Sequence, residues 1–246
     1  MPSPSDPRHT AGPVTSGARF ALVTGGAGRL GAAVVEALAA HGWSVAIHAH
    51  RSLAAARDAA DRLQGKGLAA LAVTANLRDE GTVRALVHRV ADHFGHLDAL
   101  VTCARSIRST PLDDLTADDF RAHYEVNCIG AFIAAQEAGA VMVHQATGGA
   151  IVMVGAAESA TPTPGSLAAT ASLGSIPALT RGLAAEFAAR NPRVRVNAVL
   201  PGPECPADRI ARTVLALTEE GTGTGACLTI ESGDSVTPTR PPAARS

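Results

Sequence analysis

The residues of this chain best suited to chemistry are glycines and cations. The run TGGAGRLG at 24–31 sets Gly26, Gly28 and Gly31 in a G-x-G-x-x-G spacing, with Gly25, Arg29 and Leu30 interleaved. Glycines so placed permit a tight turn and let backbone N–H groups approach a pyrophosphate, whose charge then faces the start of a helix. About twenty residues on, a carboxylate would normally bind the ribose 2′-hydroxyl of NAD. The chain has HAHRS there, at 48–52. His50, Arg51 and Ser52 can donate to a 2′-phosphate that a carboxylate would repel, so the two motifs together point to NADP(H).

Groups for proton transfer are scarce. The chain has one tyrosine, Tyr124, and one lysine, Lys66. Tyr124 lies three residues before Asn127 on roughly the same helix face, which suits packing between helices. Lys66, in the run GKG, reads as a solvated turn residue. Glu158 and Ser159 follow one apolar run, and Arg105 and Arg108 follow another. A carboxylate facing an arginine could support acid–base chemistry without hydride transfer, and exposed loop charge is the alternative reading. His123 and His144 have no partner at metal-ligand spacing and read as surface or interface residues. Cys103, Cys128, Cys205 and Cys227 are too far apart for a zinc or disulfide framework and read as reduced thiols of a cytoplasmic protein.

The elements that must position these groups alternate regularly. Apolar runs at 20–24, 44–48, 70–74, 97–101, 150–154, 193–199 and 226–230 read as strands. Helical stretches cover a stripe through Leu30, Val34 and Leu38, then about 53–64, 79–94, 117–145, 168–190 and 206–218. Such alternation implies one α/β domain, a doubly wound parallel sheet of Rossmann type covered by helices on both faces. Residues 18–234 form that domain, and 1–17 and 235–246 read as disordered Pro/Ser-rich tails. With 46% hydrophobic and 17% charged residues, the 246-residue chain can bury a sizeable core. A net charge of −1 gives no footprint for nucleic acid or an anionic membrane. No apolar run approaches the roughly 18 residues of a membrane span, and 1–17 lacks an apolar secretory core.

Taken with VNCIGAF at 126–132 and RVNAVLPG at 195–202, the glycine loop and HAHRS resemble the short-chain dehydrogenase/reductase family over about residues 18–234. Arg29, standing where most members carry the loop's second glycine, is closest to the pteridine-reductase-like branch. The resemblance implies that Gly25, Gly26, Gly28, Arg29, Leu30, Gly31, His50, Arg51, Ser52, Asn76, Leu77, Cys103, Ala104, Pro201 and Gly202 contact NADP(H). Asn76 would sit beside the adenine, and Pro201 and Gly202 along the nicotinamide.

The family's reaction uses Asn, Ser or Asp, Tyr and Lys; the tyrosine protonates the oxygen charged by hydride arrival, and the lysine favours its phenolate. Asn127 matches. Ala156, Ala169 and Leu173 occupy the other three positions, anchored between IVMVG at 151–155 and IPALTR at 176–181. The family's Asn-Asn-Ala is Thr102, Cys103 and Ala104 here, and the stretch after Gly202 is too short for the usual helical lid. The expectation is an NADP(H)-binding protein resembling carbonyl and pterin reductases, whose hydride-transfer activity is lost or very weak. Two alternatives are reworked chemistry on an unknown small molecule, using Asn127 with Glu158 or Arg105, and a structural subunit pairing with an active homologue. Assembly as a homodimer or homotetramer through helices 117–145 and 168–190 is also implied, with close packing of Ala134, Ala135, Ala138, Ala184, Ala185 and Ala188; helix-on-sheet packing within the chain is the other reading of the same alanines.

Overall fold

A computed structural model describes residues 17–157, 162–219, 221–231 and 236–238. Its first half runs β1 (Arg19–Thr24), α1 (Arg29–Ala40), β2 (Trp43–Ala49), α2 (Leu53–Gln64), β3 (Ala70–Thr74), α3 (Glu80–Phe94) and β4 (Ala99–Thr102). The second runs α4 (Ala117–Tyr124), a π-helical segment (Glu125–Gly130), α5 (Ala131–Met142), β5 (Gly149–Val154), α6 (Leu167–Leu173), α7 (Ile176–Arg190), β6 (Val194–Pro201), α8 (Ala207–Thr218), β7 (Cys227–Ile230) and β8 (Val236–Pro238).

The strands form one sheet in the order β3-β2-β1-β4-β5-β6-β7-β8, parallel throughout except for the antiparallel β7–β8 pair. This is the expected doubly wound α/β architecture. Because successive strand side chains point to opposite faces, β1 feeds two cores. Phe20 and Leu22 join α3, α5 and α7, while Ala21 and Val23 join α1, α2 and α8. A strand buried on both faces is mostly apolar on both, which is why β1 reads as a continuous rather than an alternating run, and why in β2 only Ser44 and His48 interrupt it. Strand order reverses at β1/β4, so the ends of those two strands diverge into a crevice, the usual ligand position in such sheets.

Three boundaries differ from the sequence reading. The helix expected over 117–145 is α4, the π-helical segment and α5, so the ladder loosens around Asn127. The helix expected over 168–190 breaks at Gly174–Ser175. Pro177 in the first turn of α7 lacks an N–H, so it starts a helix rather than continuing one. The third difference is β8, which adds an edge strand inside the stretch read as a tail; residues 1–16, 235 and 239–246 lie outside the described residues.

The alanines expected to pack between copies mostly serve the monomer. Ala134, Ala135, Ala138 and Ala184 are buried in the core beside the sheet, Ala185 is exposed and Ala188 half-buried. Between α5 and α7 the approach is so close that a Cβ on Gly139 would lie 2.0 Å from the Phe187 ring. Helix-on-sheet and helix-on-helix packing within one chain therefore account for the small residues.

Candidate functional site

The glycine loop is shaped by contacts that only glycine tolerates. Gly25 has φ +66°, and a Cβ on Gly31 would fall 2.1 Å from the Gly25 carbonyl oxygen. The chain therefore turns through Gly25–Gly28 directly into α1, whose cap residue Gly28 offers no side chain to occupy the helix start. No acidic residue sits in the first turn of α1, and Arg29 opens it. The free N–H groups and the helix dipole together favour an anion there.

His48, near the end of β2, fixes this loop at two points. Its carbonyl accepts from Gly26 N–H at 2.9 Å, and its Nδ1 accepts from Gly25 N–H at 3.1 Å. Since Nδ1 accepts, the ring proton lies on Nε2, which donates to the Ala75 carbonyl at 3.1 Å. One 1%-exposed imidazole thus ties the glycine loop to the ends of β2 and β3. Burial pushes its pKa below the ordinary histidine value; the Ala75 carbonyl opposes that shift, and the charges of His50 and Arg89 reinforce it.

A cleft of about 790 Å³ opens over these strand ends. It gathers Gly25, Gly28, Arg29, Leu30, Gly31, His50, Arg51, Ser52, Asn76, Leu77, Cys103 and Ala104, residues that the sequence resemblance assigns to NADP(H). Gly26 packs beneath it, against Ile47. Pro201 and Gly202 are buried and do not line this cleft. Four linings with polar side chains escaped the sequence reading as cofactor contacts, namely His48, Arg78, Arg105 and Ser106. Arg105 could have been found from its place directly after Ala104; Arg78 and Ser106 carry no local motif. Among the described residues no acid lines the cleft, whereas four arginines do. Arg78 is neutralised by Glu125 at 2.5 Å, but Arg29, Arg51 and Arg105 have no carboxylate partner among the described residues.

The other side of the crevice is built differently. Ala156, Ala169 and Leu173 are 6%, 8% and 4% exposed. Asn127, 1% exposed, spends its whole amide on the protein. Its Oδ1 accepts from Ser106 N–H at 2.6 Å, and its Nδ2 donates to the Ser106 carbonyl and to Ser172 Oγ, each at 2.8 Å. Two donors and a strong acceptor are thereby satisfied. Tyr124 stacks on Phe120 and donates to the Ala171 carbonyl at 3.3 Å, so it packs between α4 and α6 as expected. His123 is a correction: it is buried, with Nδ1 2.8 Å from the Asp119 carbonyl, whereas His144 is exposed as expected.

Burial raises the Cys103 thiol to about 12, removing it from thiolate chemistry near neutral pH. All four cysteines are free. Glu158 and Ser159 lie outside the described residues. Among the described residues no group of acids, histidines and cysteines could hold a metal, and no helix is long and apolar enough to cross a membrane.

Comparison with known proteins places this geometry. The short chain dehydrogenase family model matches residues 19–206. A hydroxynaphthalene reductase of Aspergillus fumigatus is 31% identical over 183 residues, 74% of this chain and 65% of that protein. A 3-oxoacyl-[acyl-carrier-protein] reductase of Staphylococcus aureus is 31% identical over 184 residues, 75% of this chain and 74% of its own length. Among solved structures, a short chain dehydrogenase of Burkholderia cenocepacia in complex with NADP superposes with a TM-score of 0.80 at 33% identity, covering 87% of this chain and 97% of that one. An acetoin dehydrogenase of Enterobacter cloacae gives a TM-score of 0.81 at 27% identity, covering 89% of this chain and 96% of its own.

Proposed function

The chain belongs to the short chain dehydrogenase family, and from that premise we propose that it is an NADP(H)-binding member whose reductase chemistry has been lost or reduced to a trace. The observation that carries the reading is the cleft itself: a glycine cradle at a helix start, rimmed by unpaired arginines and no acid among the described residues. Arg51, Ser52 and His50 supply donors for a 2′-phosphate, and Arg29 with the loop N–H groups supplies them for the pyrophosphate. Arg29 in the loop brings the chain nearest the pteridine-reductase branch.

Bound NADPH would supply a hydride; reduction of a carbonyl also needs a proton on its oxygen. Ala156, Ala169 and Leu173 hold no transferable proton, and the Asn127 amide is committed to Ser106 and Ser172. Absence of a positioned general acid lowers rates by roughly 10²–10⁴, and of an oxyanion donor by about 10²–10³. The same commitment of Asn127 argues against reworked chemistry centred on that residue.

We place the protein in the cytoplasm, with its four free thiols, as a homodimer or homotetramer. Ile129 on the π-helical segment and Leu167 at the start of α6, 49% and 47% exposed, support an assembly contact on that side. Light scattering after size exclusion reads the oligomer. The function itself is tested by fluorescence titration: saturable NADPH binding, at least tenfold tighter than NADH, with no carbonyl or pterin reduction above the contaminant control. Absence of NADPH saturation, or family-like turnover by the pure protein, would overturn it.

A further inference from the structure

Separate stretches that line the cleft meet at one side chain. The lining comes from the glycine loop, the end of β2, the turn after β3 and the segment after β4. His48 belongs to the second of these and bonds the first and the third. Its Nδ1 accepts from Gly25 N–H at 3.1 Å, and its Nε2 donates at 3.1 Å to the carbonyl of Ala75, the residue before Asn76. Both ring nitrogens are thereby spent on the protein, so the imidazole offers no hydrogen bond to a ligand. At 1% exposure it presents almost no surface to one either. What His48 does for the cleft, it does through the segments it holds.

The loop is the segment that most needs holding. Glycine loses more backbone freedom on folding than any other residue, and this turn runs through Gly25, Gly26 and Gly28. Gly25 also packs closely on Ala104, whose Cα a Cβ at that position would meet at 2.7 Å. Taking the acceptor away from Gly25 N–H leaves a donor that must shift toward water or stay unpaired at a cost. Either response disturbs the N–H groups that precede α1. A loop ordered before the ligand arrives spares binding the cost of ordering it. The neighbouring bond, from Gly26 N–H to the His48 carbonyl at 2.9 Å, is backbone and survives any substitution at 48. The side chain supplies the bond that the backbone does not. Burial holds the ring's pKa below the ordinary histidine value against the opposing Ala75 carbonyl, and His50 and Arg89 add to the shift, so Nδ1 stays bare at neutral pH.

We propose that His48 is the positioning residue of the nucleotide site: in its Nε2–H form the imidazole fixes Gly25 and the turn after β3 relative to each other, and so presets the loop that receives the pyrophosphate. This rests on the NADP(H) reading of the cleft and adds to it a residue that sets affinity without bonding the nucleotide. The pyrophosphate is common to NADPH and NADH, so the tie strengthens both alike. Choice between the two stays with His50, Arg51 and Ser52.

Isothermal titration calorimetry of the full chain with NADPH and NADH, in the parent, His48→Ala and His48→Gln, tests this. The alanine variant should weaken both nucleotides about tenfold, near the upper end for one hydrogen bond, with their ratio unchanged within about twofold. Glutamine can accept from Gly25 and donate to Ala75, and should bring both nucleotides back to within about threefold of the parent. Amide exchange should follow the same order: faster at Gly25 and Gly26 in the alanine variant, parent-like in the glutamine variant, and unchanged in β4 and β5 of both. An alanine variant that binds like the parent, or a glutamine variant that binds no better than alanine, overturns the positioning role while the NADP(H) reading stands. Loss of NADPH alone would put His48 at the 2′-phosphate, and the proposal would fail. If neither nucleotide binds the parent, both readings fall together. Should His48→Ala not fold, the imidazole nitrogen resonances of the parent decide: a proton on Nε2 and a bare Nδ1 are expected, and a proton on Nδ1 overturns the proposal.

Discussion

The rim of the sheet has two halves that meet at β1/β4, and they are built differently. On the β1–β2–β3 half, the polar work falls mainly to the backbone: the Gly25–Gly31 turn, the start of α1 and the grip of His48 on Gly25 and Gly26. On the β4–β5–β6 half, the positions that our proposal assigns to the family's proton-transfer side chains are held by Ala156, Ala169 and Leu173, which are buried and apolar. On the reading proposed here, a nucleotide cradle and a proton-transfer site are separable parts of one crevice. A cradle made of backbone is tied to the fold and persists as long as the sheet does. A catalytic side chain can be exchanged for an apolar one that packs as well or better, since leaving a lysine or tyrosine buried without partners is unfavourable.

The largest effect should come from breaking the open half. In Gly31→Ala the new Cβ would meet the Gly25 carbonyl oxygen at 2.1 Å, so the loop must move away from α1. NADPH affinity should fall at least about 100-fold, roughly 3 kcal/mol, with the far-UV circular dichroism spectrum retained. A variant that binds within threefold of the parent would mean that the loop does not form the nucleotide site.

The apolar half should resist the opposite experiment. Restoring the family pair with Ala169→Tyr and Leu173→Lys forces a ring and a cation into positions 8% and 4% exposed. Overpacking and an unpaired buried charge each destabilise by about 1–3 kcal/mol or more. We expect melting to drop by about 10 °C, with NADPH affinity within threefold of the parent and no carbonyl reduction gained. Turnover in this double variant would show that the crevice still admits substrate, and the contrast between its two halves would collapse.

How much of this could be read from the sequence follows the same division. The open half is written in local strings, because a turn forced through glycines and a strand ending in His48, His50, Arg51 and Ser52 leave their marks within a few residues. The double winding was equally legible from apolar runs alternating with helical stretches. The other half was only partly legible. The apolar residues at 156, 169 and 173 were visible, but not that Asn127 bonds Ser106 or that the Glu231 carboxylate comes near Gly202. Those contacts join residues 21 and 29 positions apart, and no local pattern encodes them. The same holds for the alanines of α5 and α7, whose spacing suits a partner chain as well as the core they fill. Pro177 was visible, and its power to divide a helix could have been weighed.

Within the open half, the claim of NADP(H) over NAD(H) can be sharpened at one residue. Arg51 is exposed at the end of β2, so its bond to a 2′-phosphate is partly screened by water. Arg51→Ala should therefore weaken NADPH by about tenfold, near the lower end for charge-assisted contacts, and leave NADH within twofold. Equal losses for both nucleotides would place Arg51 on the pyrophosphate instead, and specificity would have to be sought at His50 and Ser52.

The smallest effect concerns the tie that holds the cradle. His48 is neutral in the fold because Gly25 N–H donates to its Nδ1, and burial lowers its pKa from the ordinary 6.5. Protonation would set two N–H groups against each other at Gly25. A histidine whose pKa is lower folded than unfolded takes up its proton first in the unfolded chain, so its contribution to stability is complete above about pH 6.5 and declines as pH falls below it. The measurement is a difference: melting of the nucleotide-free parent against His48→Gln at each pH. Glutamine can accept from Gly25 and donate to Ala75 without titrating. The parent should lose about 2–4 °C relative to the variant between pH 7.5 and 5.5, corresponding to roughly 1 kcal/mol. Parallel curves would show that the imidazole is not the pH-sensitive tie, and that the loop is held by its backbone bond to the His48 carbonyl alone.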